Sequence, residues 1–176
     1  MKKALGGLLI GFCTLMYADQ VSQTETKTET ETDKTVEWHQ QAANAGSAEA
    51  QYNLAVLYSK GNSVPKNDEM AVYWFKKAAA QGMVDAQLRL GYMYETGQGV
   101  PQSYSEAVLW YQQAAESGNA TALNNLGLMY MTGTGVEMNR AKAYNYWREA
   151  ALQGSEDAMR NMHNLCRISP EACPYP

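Results

Sequence analysis

The chain repeats itself. Between about residue 36 and residue 165, a shift of 36 residues aligns the sequence with itself without a gap, and a period of that length is the signature of stacked supersecondary units. Glycine recurs at Gly46, Gly82, Gly118 and Gly154, and again at Gly61, Gly97 and Gly133. Alanine recurs at Ala50, Ala86, Ala122 and Ala158, and as the pairs Ala78-Ala79, Ala114-Ala115 and Ala150-Ala151. Leu54, Leu90 and Leu126 form a further column, as do Tyr58, Tyr94 and Tyr130 and also Val64, Val100 and Val136.

Within one unit Ala50, Leu54, Leu57 and Tyr58 lie on one helical face. This helix, A, is expected from about Ala48 to Lys60, ending at Gly61 where a left-handed residue closes it. The second helix, B, is expected to start after Asn67, Ser103 and Asn139, whose side-chain oxygens can take free backbone N–H groups. Ser103 with Glu106 makes a capping-box pattern. Helix B runs to the Gly82, Gly118, Gly154 column. Ala55, Gly91 and Gly127 stand inside helix A, where glycine costs about 1 kcal/mol relative to alanine. Close approach of helix B accounts for them, and its aromatic pairs Trp74-Phe75, Trp110-Tyr111 and Tyr146-Trp147 are expected against that column.

The expected architecture is all-α: an α/α solenoid of three 36-residue helix-turn-helix repeats, 47–82, 83–118 and 119–154, within a folded segment 36–166. Half units serve as caps, because no unit buries its face alone. Trp38 to Gly46 repeats the second half of helix B, and Glu156 to Cys166 repeats helix A. In that last helix His163 takes the small-residue position and Cys166 the tyrosine position.

The flanks read differently. Lys2 and Lys3, an apolar run from Ala4 to Tyr17 and the small Ala18 make residues 1–18 a signal peptide, cleaved after Ala18. The run is short and broken by Gly6, Gly7 and Gly11, so it is a poor membrane span. Phe12 before Cys13 fits a lipoprotein signal badly. Residues 19–35, rich in Thr and Glu, lack the apolar surface to offset ordering and read as a disordered tether. The net charge is −4, and losing Lys2 and Lys3 makes the remainder more acidic. Such a surface disfavours nucleic acid and anionic lipid, so neither nucleic acid nor, after cleavage, membrane is an expected partner. Cys166 and Cys173 remain, and in an exported chain a close even pair reads as a disulfide. It ties down the tail 167–176, folding Ile168 to Pro174 over the open end. The location expected is periplasmic or secreted.

The pattern Leu90-Gly91-Tyr92-Met93-Tyr94-Glu95-Thr96-Gly97-Gln98-Gly99-Val100, its counterpart from Leu126 to Val136, and Ala107 to Gly118 resemble the Sel-one-like repeat family, relatives of tetratricopeptide repeats. The first unit departs slightly, with Ala55 and Ser63 at two glycine positions. The resemblance implies an α/α solenoid with a concave face, used as an adaptor in bacterial envelopes, host interaction and protein quality control. Some cysteine-rich relatives are linked to β-lactam binding, which makes a β-lactam-binding or hydrolysing protein the alternative. The three full units here lack cysteine.

Residue chemistry points away from catalysis. His39 and His163 are the only bases of their kind, and His39 falls in the column of Phe75, Tyr111 and Trp147, where packing is its role. His163 and Cys166 share a helical face, but a structural zinc wants four such ligands. The Gly97-x-Gly99 and Gly133-x-Gly135 loops follow helices and lack the lysine of nucleotide motifs. Glu49, Asp85 and Asp157 complement the helix dipole. No cofactor and no metal are expected. The functional expectation instead rests on the flank of helix A away from the small column: Asn53, Arg89, Asn125 and Asn161, with Val56, Tyr92 and Leu128 beside them. A strip of this kind, as the concave face, would bind a peptide or protein partner. Asn amides would meet its backbone, Arg89 a carboxylate, and Tyr92 would anchor it. The open alternative is that the Asn residues are solvated or bridge neighbouring repeats. The chain is expected to be a monomer and no enzyme.

Overall fold

A computed structural model describes residues 36–173. The expected signal peptide, 1–18, and tether, 19–35, lie outside the described residues, as do positions 174–176 of the tail. Among the described residues the fold is all-α. A short α1, 36–44, leads in. It is followed by α2 (Ala48–Lys60), α3 (Asp68–Ala80), α4 (Val84–Thr96), α5 (Tyr104–Glu116), α6 (Ala120–Thr132), α7 (Arg140–Leu152) and α8 (Glu156–Ile168), and by a 3-10 turn at Pro170–Ala172. The closest packing is within the pairs α2/α3, α4/α5 and α6/α7, each a helix A followed by a helix B, and each B also touches the next A.

Local chemistry sets the ends. Asn67, Asn119 and Asn139 accept the N–H three residues on, each at 2.9 Å. Ser47, Ser103 and Ser155 do the same at 3.2–3.3 Å. Met83 has no such oxygen, and α4 starts without a side-chain cap. The capping box at Ser103 forms by half: the Ser103 N–H donates instead to the Tyr94 carbonyl at 2.9 Å. The loop after helix A folds back on that helix, so the donor Glu106 would have served is already used, and the same bond recurs from Asn67 to Tyr58 and from Asn139 to Tyr130.

The small column is a close approach. A Cβ at Gly91 would stand 2.4 Å from the Tyr111 ring, and one at Gly127 2.3 Å from the Trp147 indole nitrogen. Only the second aromatic of each pair occupies this place: Phe75, Tyr111 and Trp147 are buried. The first is variable. Trp74 is buried, Trp110 is half-buried, and Tyr146 stacks instead on Tyr130 with ring centroids 5.4 Å apart. Adjacent residues of a helix diverge by about 100°, so once one ring points into the A–B seam its neighbour must lie along the edge.

Units are joined by polar and apolar contacts. Gln51 Nε2 donates to the Ala43 carbonyl at 3.1 Å and Gln87 Nε2 to that of Ala79 at 3.4 Å, satisfying the last turn of the preceding helix B. Gln81 reaches back to Gln51 Oε1 at 2.8 Å and to the Gly46 carbonyl at 3.0 Å. At Gly99, φ is +67° and a Cβ would meet the Asp68 carbonyl at 2.3 Å, because the loop after α4 lies on the start of α3. At the last unit Cys166 and Cys173 form a disulfide. It returns the tail to α7 and α8, where Ala172 packs against the core and Ser169 is buried, while Ile168 stays exposed.

Candidate functional site

Helices of type A place the expected strip along one flank of the stack. On α4, Arg89 and Tyr92 lie one helical turn apart and both are exposed. On α6, Asn125 is half-buried and Leu128 exposed; on α2, Asn53 and Val56 are half-buried. A groove of about 270 Å³ opens between these helices, and Arg89, Tyr92 and Asn125 line it. Asn53, Val56, Leu128 and Asn161 do not. The groove is completed by Tyr52, Asp85, Leu88, Thr121 and the edge of Tyr111.

The floor of the groove is tied to the A–B seam. Tyr111 reaches from α5 past Gly91, and its hydroxyl donates to Glu95 Oε2 at 2.7 Å. Burial, then the Glu95 hydrogen bond and charge, push this hydroxyl well above the usual tyrosine range, with Asn125 pulling the other way. It is a neutral, fixed dipole at ordinary pH. Above it, Asp85 and Arg89 stand one turn apart on α4, yet among the described residues Arg89 forms no ion pair. Arg89 is exposed, in a groove walled by two further tyrosines, Tyr52 and Tyr92.

Asn161 has another task. Its amide donates to Asn124 Oδ1 at 3.0 Å, linking α8 to α6, and the Asn124 backbone carbonyl accepts from the Trp147 indole at 3.1 Å. At this position the amide bridges neighbouring repeats. Of the groove residues, Tyr52 and Leu88 carry no signal in a repeat-by-repeat reading, because they share a column that continues with the unlike Asn124 and Arg160, and Thr121 is the exception in the acidic column of Glu49, Asp85 and Asp157. Asp85 was legible only as a dipole partner; being in the first turn of α4 also puts it on the rim. A second groove, of about 350 Å³, lies between α5, α6 and α7 and exposes Glu116, Glu149 and Tyr146.

His39 is half-buried and meets Trp38 edge-on, with centroids 4.9 Å apart. His163 is exposed on α8, and the sulfur of Cys166 is spent in the disulfide. Among the described residues no three His, Cys, Asp or Glu side chains converge in a metal-like cluster. No helix among them is long and apolar enough to cross a membrane.

The Sel1 repeat pattern matches residues 28–47, 48–83, 84–119 and 120–155. The chain belongs to the Sel1 repeat family. Among solved structures, a Sel1 repeat protein from Oxalobacter formigenes is 35% identical over 80% of this chain and 58% of its own, with a TM-score of 0.75. The protein c5321, a protective antigen of uropathogenic Escherichia coli with an SLR fold, is 40% identical over 73% of this chain, with a TM-score of 0.71. The match covers 28% of that longer protein, so this Sel1 chain spans less than two thirds of either relative. Helicobacter pylori cysteine rich protein B, 21% identical, shares the fold at a TM-score of 0.58 over 74% of this chain and 94% of its own. No curated protein matches the sequence.

Proposed function

We propose that this Sel1 repeat chain is a non-catalytic interaction scaffold, holding an extended peptide or the loop of a partner protein across the groove between α2, α4 and α6. The observation that carries the reading is the groove itself: Arg89 without an ion-pair partner among the described residues, exposed Tyr92 and half-buried Asn125 converge there. Arg89 supplies a fork of donors for a carboxylate, Tyr92 a stiff amphipathic anchor, and Asn125 an amide that can pair with peptide backbone. Val56, Leu128 and Asn53 extend the strip to either side.

The compartment proposed is the periplasm or the cell exterior. The Cys166 to Cys173 disulfide supports it, because such bonds persist where the surroundings oxidise. An exported location also accords with the relative that is a protective antigen. The test is affinity capture of the protein from envelope and culture fractions, with crosslinking mass spectrometry reading the contacts. A partner crosslinked near Arg89 and Tyr92, and lost from the Arg89→Ala, Tyr92→Ala variant at unchanged helicity, establishes the scaffold. Crosslinks confined to another face overturn the assignment of the groove. A chromogenic β-lactam should turn over no faster than without protein; turnover abolished by a point change would replace the scaffold reading with a catalytic one.

A further inference from the structure

We propose that the groove between α5, α6 and α7 is a second docking site, separate from the one lined by Arg89, and that it takes a lysine side chain from a basic segment of a partner protein. The groove holds about 350 Å³. Its floor is apolar, with Leu123 and Leu126 buried on α6, and the half-buried ring of Tyr146 makes a wall. Glu116 at the end of α5 and Glu149 on α7 stand exposed at its edge, and among the described residues neither is in an ion pair. Burial, then Tyr130 and Glu149, raise the Tyr146 hydroxyl above the usual tyrosine range, with Gln112 pulling the other way. Glu149 and Gln112 therefore both stand near the polar end of that ring.

The preceding joint of the stack, between α3, α4 and α5, shows what this geometry receives. One repeat earlier, Lys76 stands where Gln112 does, and its ammonium lies over the ring of Tyr94, 5.3 Å from the centroid. There the chain supplies its own cation, and the positions of Glu116 and Glu149 are the uncharged Ala80 and Gln113. In the second joint all three positions change in one electrostatic sense: the lysine is lost and two carboxylates are gained. Gln87 gives way to Leu123 at the same time, which makes the floor more apolar. The nearby Lys142 is engaged over Tyr130, 5.2 Å from its centroid, and forms no ion pair with either glutamate.

A lysine matches both halves of the groove. Its methylene stem covers the leucines and the tyrosine ring, while its compact ammonium stays at the wet edge beside the carboxylates. The net charge of −4 favours approach of a basic segment. The two grooves can be filled independently. On α6, Thr121 and Asn125 face the Arg89 groove and Leu123 and Leu126 face this one, directions about 150° apart at about 100° per residue.

The test is a titration of the isotope-labelled protein with tetralysine, followed by amide NMR, beside the same peptide with every amine acetylated. Tetralysine should shift the amides of 112–116, 123–126 and 146–149 saturably, and the acetylated peptide should not. Glu116→Gln with Glu149→Gln should weaken binding about tenfold. Gln112→Lys, which restores the lysine of the preceding joint, should weaken it as well, whereas Arg89→Ala with Tyr92→Ala should leave it unchanged. Circular dichroism checks that each variant keeps the parental helicity, as substitutions at exposed or half-buried positions should. Shifts scattered over the acidic surface overturn the site, as do binding indifferent to both groove variants, equal binding of the acetylated peptide, or loss of binding in the Arg89 variant. Spermidine held more tightly than tetralysine at the same amides would assign the groove to a free amine and overturn the protein partner.

Discussion

Two glycines inside helices show how far packing outweighs propensity in this chain. Gly91→Ala and Gly127→Ala would each gain about 1 kcal/mol of helix propensity, yet each adds a carbon at 2.3–2.4 Å from a buried aromatic ring that would have to shift. Overpacking of that kind costs about 1–3 kcal/mol or more, so both variants should be less stable than the parent by urea denaturation. The Ala55→Gly exchange in the first unit should also destabilise, by roughly 1 kcal/mol, because there the methyl already fits. Tyr111 allows a test by pH. Its hydroxyl is raised by burial and by Glu95, so the neutral form is favoured in the folded state over the unfolded chain. That contribution is complete below the ordinary tyrosine pKa of about 10 and is lost as pH rises beyond it. Tyr111→Phe should lose about 1 kcal/mol at neutral pH with the Glu95 hydrogen bond, and should show a shallower fall in melting temperature above pH about 10 than the parent.

At the scale of the element, caps and turns were the most legible features, because their chemistry is local. Asn67, Ser103 and Asn139 stand as N-caps where the residue types place them. Replacing Asn139 by alanine should cost about 1 kcal/mol in thermal or urea unfolding, since its Oδ1 holds the Lys142 N–H at 2.9 Å. The loops are less uniform. Gly99 lies against the backbone of α3, while Ser63, the equivalent residue of the first unit, holds a left-handed φ of 63° with a side chain attached. Ser63→Gly should therefore relieve strain and leave the fold at least as stable, whereas Gly99→Ala should destabilise by more than 1 kcal/mol, given a contact of 2.3 Å to a carbonyl oxygen. The incomplete capping box at Ser103 has the opposite lesson. Glu106 matches the local pattern, but the returning loop supplies the Tyr94 carbonyl first.

Across the whole molecule, stability is the sum of unit and neighbour terms, and the last unit depends most on what covers it. The disulfide closes a loop of seven residues' separation, worth roughly 2–3 kcal/mol in the chain-entropy account. Reduction should loosen α8 and the 3-10 turn first. Hydrogen exchange should detect this as faster exchange at 156–173, with α4 to α6 little changed. Uniform loss of protection along the chain would show that the repeats unfold as one unit and that the tail is no separate cap.

The period of 36 residues, visible in the glycine, alanine and tyrosine columns, was enough to specify an all-α stack, where its helices begin and end, and which positions must be small, since each follows from chemistry within a unit. The pairing of Cys166 with Cys173 was legible for the same reason. Tertiary structure alone decided which aromatic of each pair enters the seam, that Gln51 and Gln87 bind the carbonyls of the preceding helix, that Asn161 is engaged by Asn124, and that Arg89, Tyr92 and Asn125 share a groove with Tyr52 and Thr121. Those outcomes depend on how one helix sits on the next. A repeat pattern states what every unit has in common, and a binding groove is made of the residues in which the units differ.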